Sequence, residues 1–119
     1  MQKVIEQLGK LSQDKVVVNG AMCQLEFYAD CNGLSPLEVK RAALLLAKVG
    51  AALIQAEATL KTASETLWDS VDTIEASEEI ISLLKLHGVV KQQYNSIADR
   101  LASCEYKLRY YADKVRICA

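Results

Sequence analysis

From residue 39 onward, apolar and small residues recur at alternating spacings of three and four: Val39, Ala42, Leu46, Val49, Leu53, Ala56, Leu60, Ala63, Leu67, Ser70 and Ile74. Such spacing draws one stripe down one side of an α-helix, with large residues at a and small ones at d of a heptad, and predicts a helix over 36–71. A second seam runs Ile80, Leu83, His87, Val90, Tyr94, Ile97, Leu101, Cys104, Leu108, Tyr111, Val115 and Cys118, predicting a helix over 77–118. Extending the first seam past Ile74 would bring Gly88, Lys91 and Asn95 into it, so the frame slips by one residue between the two. Asp72, Ser77, Glu78 and Glu79 supply a cap and first-turn acids there, and a turn is expected near 72–77, centred on Glu75.

Folded back on that turn, the two seams are expected to pair Leu46 with Cys104, Leu53 with Ile97, Leu60 with Val90 and Leu67 with Leu83. Ala56 would face Tyr94 and Ala63 would face His87, small against large.

The N-terminal segment is less regular. Val4, Leu8, Leu11, Val18, Met22 and Leu25 lie on one approximate helical stripe, which predicts a helix over 2–31. Val16-Val17-Val18-Asn19-Gly20 competes, because an Asn-Gly turn followed by alternating Cys23, Leu25 and Phe27 is the pattern of a hairpin. A lone two-stranded ribbon is marginally stable, so helix is favoured, with a break over 14–19 left open. Gly33 suits a left-handed helix end, and Ser35-Pro36-Leu37-Glu38 reads as a capping box with proline in the first helical position.

Residues 42–54 are apolar nearly all round, more than one partner helix covers. A second stripe of Ala43, Ala47, Gly50 and Ile54 is small enough for another helix to approach, either the N-terminal one or that of a neighbouring chain. The expectation is an all-α fold: one domain over 1–119, an elongated up-down-up three-helix bundle with antiparallel coiled-coil-like pairing of the two long helices. In architecture alone this resembles spectrin repeats and the regulatory bundles of membrane-fusion proteins; no motif of either is matched and no functional residue carries over.

Composition agrees with long helices, since 119 residues hold five glycines and one proline. The formal charge of −1 offers no net positive field to a phosphate backbone, which disfavours nucleic acid as a partner. The first residues lack the apolar core of a secretory signal, and no uninterrupted apolar run approaches the ~20 residues of a membrane span, so a cytoplasmic location without membrane contact is expected. Cys23, Cys31, Cys104 and Cys118 lack CxxC spacing and are read as reduced, mostly core-filling thiols, with a Cys23 and Cys104 contact open if the first and third helices run parallel.

Chemistry is sparse. His87, the one histidine, and Tyr94 are candidates for a ligand site within the seam, although no Cys or carboxylate sits four residues from His87. Tyr106, Tyr110, Lys107, Arg109 and Arg116 interleave aromatic and basic residues near the end of the third helix, as an interface does and as a helix C-terminus prefers. Trp68 flanks the first seam and is expected either to staple the N-terminal helix through Val4, Ile5 or Leu8 or to anchor a partner. Glu65, Asp69, Asp72, Glu75, Glu78 and Glu79 concentrate acid around the turn without calcium-loop spacing.

No metal, cofactor or catalytic set is expected. The sequence thus points to a non-enzymatic interaction protein, an adaptor, inhibitor or chaperone-like bundle with a protein partner or a second copy of itself. The alternative is a bundle that holds a small ligand between helices.

Overall fold

The computed structural model describes residues 2–31, 33–73 and 78–118, with side chains described except at 72, 73 and 110–118. It is an all-α three-helix bundle, and the described residues contain no strand. Helix α1 is Gln2–Asp30, α2 is Pro36–Thr73 and α3 is Glu78–Cys118, and each lies against the other two. The bundle measures 64 × 19 × 17 Å, long and thin because each helix runs most of its length.

Helix α1 is continuous, so neither the break at 14–19 nor the Asn-Gly hairpin forms. Val18, Ala21, Met22 and Leu25 are all buried on one side of it. A helix puts those four together at spacings of three and four, whereas a strand would send Ala21 and Met22 to opposite faces. Burial of that set outweighs the local preference of Val-Val-Val for extended backbone, which is worth only tenths of a kcal/mol per residue.

The α1 to α2 connection differs from expectation at one point. Gly33 has no positive φ, so the left-handed cap is not used. The chain instead tightens, with Cys31 N–H donating to the Tyr28 carbonyl at 3.3 Å, one 3₁₀-type turn beyond the helix. The capping box forms at the head of α2. Glu38 N–H donates to Ser35 Oγ at 3.2 Å, and Ser35 N–H donates to Glu38 Oε1 at 3.0 Å. The predicted turn centre Glu75, with Ile74 and Ser77, lies outside the described residues.

The core falls into two clusters along the long axis. One gathers Val4, Leu8 and Leu11 with Ala56, Leu60, Ala63, Leu67, Leu83, Val90 and Tyr94. The other gathers Val18, Met22, Leu25 and Ala29 with Ala42, Val49, Ile97 and Cys104. Leu53 packs against both. Polar contacts tie α3 to α1 in step: Tyr94 reaches Leu11, Arg100 reaches Asn19 and Glu26, and Lys107 reaches Asp30.

Two features of α2 bear on the open questions about its surface. Helix α1 packs on Ala42 and Val49 and leaves Ala43, Ala47 and Ile54 exposed, so the second small-residue stripe is uncovered. The span Pro36–Val71 is also long and apolar enough, by length and composition, to cross a membrane. Counting uninterrupted apolar residues missed this, because between Arg41 and Lys61 the only charged residues are Lys48 and Glu57.

Candidate interaction surface and interhelical groove

The core-facing positions of α2 leave a second line on the opposite side of the helix. Leu37, Leu44, Ile54 and Trp68 lie along it with relative exposures of 57, 65, 72 and 57%. Their neighbours on the same line, Lys40, Ala47, Ala51, Ala58, Lys61 and Glu65, are exposed as well, with Lys61 and Glu65 at the edge that also borders the groove between α2 and α3. These positions again alternate three and four apart, so α2 carries two heptad lines, one in the core and one on the surface. Trp68 therefore does not staple α1: Val4 and Leu8 are buried with its neighbour Leu67, while the indole faces outward.

At the other end of the bundle, Tyr106 is 80% exposed. Lys107 Nζ lies 3.1 Å from Asp30 Oδ1 at the end of α1, and Arg109 lies 3.0 Å from Glu105 one helical turn away. The side chains of Tyr110 and Arg116 lie outside the described residues. Leu67 belongs to one core cluster and Cys104 to the other, so Trp68 and Tyr106 sit at different ends and make no common patch.

The two ligand candidates line a groove of about 400 Å³ between α2 and α3, together with Leu53, Glu57, Lys61 and Lys91. His87 Nε2 donates to the Leu60 carbonyl at 2.8 Å, which fixes the ring against α2. Tyr94 donates its hydroxyl to the Leu11 carbonyl on α1 at 2.7 Å. Burial, aided by Asp14, pushes the Tyr94 phenol above its ordinary range and keeps it neutral. His87 and Tyr94 are thus both engaged in holding helices together.

Sequence reasoning missed the polar contact with the most partners. Arg100 on α3 reaches Asn19 Oδ1 at 2.7 Å, Cys23 Sγ at 3.6 Å and both carboxylate oxygens of Glu26. The guanidinium holds the Glu26 carboxyl below the usual carboxylate range, and Glu26 in turn raises Arg100. The available signal was the spacing of Asn19, Cys23 and Glu26 at i, i+4 and i+7 on one face of α1.

Cys23 is exposed beside that arginine, so it is no core thiol, and its described contact is Arg100. Cys31 donates to the Phe27 carbonyl at 3.2 Å. Cys104 is buried, and burial pushes its thiol up. All three are free, while the side chain of Cys118 lies outside the described residues. Among the described residues no three His, Cys, Asp or Glu side chains gather where a metal ion would fit. No protein-family model, curated protein or solved structure matches the chain.

Proposed function

We propose that the chain is a non-enzymatic protein-interaction module, an up-down-up bundle with antiparallel coiled-coil-like pairing of α2 and α3, acting in the cytoplasm through an apolar helix face. One observation carries the reading: four large apolar side chains stand exposed in one line on the outward side of α2, separate from the core line of the same helix. Single exposed leucines are ordinary on protein surfaces, whereas several large apolar side chains aligned on one helix face, here interspersed with alanines and three charged residues, support an association surface. The exposed Tyr106 near the end of α3 is a secondary contact point. The engagement of His87 and Tyr94 in interhelical hydrogen bonds supports a structural role for both and leaves little for catalysis.

A photo-crosslinking residue placed at Ile54 tests this in the full chain, with the same residue at exposed Gln24 on α1 as control. The reading expects a discrete protein adduct from position 54 that the control does not give. Equal, diffuse labelling from both positions would overturn it.

A second reading, a small-ligand binder, draws on the groove beside His87, whose volume of about 400 Å³ falls within the range of ligand pockets. A panel of nucleotides, haem and metal ions that raises the melting temperature, with the rise lost in His87→Leu, would favour it through binding linkage.

A further inference from the structure

We infer that the outward face of α2 docks antiparallel onto the same face of a second copy of this chain, about a two-fold axis midway between Ala51 and Ile54. This rests on the reading of that face as an interaction surface and names its occupant.

A two-fold interface requires a surface complementary to its own reverse. The outward line of α2 meets that requirement position by position. At the axis, Ala51 of each copy meets Ile54 of the other, small against large. One heptad step outward, Ala47 meets Ala58, which lets the helices approach closely. Next, Leu44 meets Lys61, whose aliphatic stem covers the leucine while the ammonium reaches water. Beyond them Lys40 meets Glu65, an attractive pair that the symmetry forms twice. At both ends Leu37 meets Trp68. Every one of these contacts joins an a position to a d position, the layering of an antiparallel coiled coil.

The charges choose among the occupants. In a parallel pair in register, Lys40 would face Lys40, Lys61 would face Lys61 and Glu65 would face Glu65, which sets like charges together at three layers. A lipid surface would have to take up Lys40, Lys61 and Glu65 along with the apolar residues, and taking charge out of water is costly. An antiparallel second copy pairs Lys40 with Glu65. The stripe runs from Leu37 to Trp68, roughly 47 Å at the helical rise, and about 10 Å wide. Its footprint is therefore about 1,000 Å² over both copies, at the lower edge of specific interfaces and in the size range of weak, transient ones.

Sedimentation equilibrium of the full chain from about 1 to 500 µM tests the proposal, with the emission of Trp68, the one tryptophan, as a second readout. The wild type is expected to move from monomer to dimer, with Trp68 shifting to the blue as Leu37 of the other copy covers it. Lys40→Glu alone, and Glu65→Lys alone, should each weaken dimerisation about tenfold, because each turns two attractive pairs into two repulsive ones. An equimolar mixture of those two single variants should recover wild-type association, since both pairs in the mixed dimer are again opposite in sign. Ile54→Lys should remain monomeric with unchanged helicity, the side chain being exposed in the bundle.

A wild type that stays monomeric throughout overturns the proposal, as do single charge variants that associate like the wild type. A Trp68 shift that appears in a monomer only on phosphatidylcholine vesicles overturns it in favour of a membrane. A monomer whose position 54 still cross-links to a different protein defeats the second copy and leaves the interaction reading standing. A monomer without any such adduct defeats both.

Discussion

Arg100 gives its guanidinium to three side chains of α1, and Glu26 is the partner whose chemistry can be titrated. The arginine lowers the Glu26 carboxyl in the folded chain, so the contact stabilises the fold above the ordinary carboxylate pKa and is lost as pH falls through the lowered value. Both side chains are about a third exposed, with 31 and 36% of their surface reaching solvent, and screening limits the effect. Glu26→Gln is expected to cost about 0.5–1 kcal/mol at neutral pH. Urea denaturation of the two proteins at stepped pH should show their stabilities converging as the wild-type carboxylate is protonated; a difference that persisted in acid would assign the loss to shape instead of charge. The contact was hard to read from sequence because the spacing of Asn19, Cys23 and Glu26 marks a polar face without naming what it meets. Which α3 residue arrives there depends on the axial offset of α1 against α3, and that offset is set by side chains elsewhere, such as Tyr94 on Leu11.

At the scale of elements, Gly20 separates the two conformations that the N-terminal segment suggested. In an Asn-Gly turn a glycine is needed for its left-handed backbone, whereas in α1 it lies mid-helix, without positive φ and with nothing within 4 Å of where a Cβ would stand. Gly20→Ala should therefore stabilise the bundle by about 0.5–1 kcal/mol, read as a raised midpoint in thermal and urea unfolding. A lowered midpoint would show that the segment turns. The long helices were legible because their heptads are nearly unbroken and the Ser35 to Glu38 box marks a start by its own chemistry. Helix α1 was less so, since Val16 and Val17 are exposed apolar residues that blur its stripe. The surface line of α2 was only partly legible: Ala43, Ala47, Gly50 and Ile54 announced surplus apolar surface, but sequence alone did not say that α1 would pack on the Ala42 and Val49 side and leave it open. Trp68 was ambiguous for the same reason, its exposure being decided by where α1 lies.

For the molecule as a whole, the question raised by a 64 Å bundle with two core clusters is whether its ends unfold together. Three continuous helices pass through both clusters, so melting one end requires ending each helix in mid-run and exposing backbone groups that had partners. Leu53 packs against both clusters, and Tyr94 of one lies a single turn from Ile97 of the other on α3. The inferred dimer axis, between Ala51 and Ile54, falls beside that junction and would brace it further. These links predict one cooperative unit. Leu67→Ala and Leu25→Ala each empty a fully buried site, one in each cluster, and each should cost about 2–5 kcal/mol. Hydrogen exchange then distinguishes coupling from independence: in Leu67→Ala, the slow amides around Met22 should lose protection by the same free energy as those around Leu8, although no side chain near Met22 has changed. Protection lost only around Leu8, with Met22 unaffected, would mean two units stacked end to end, and the joint at Leu53 would then be a hinge between them.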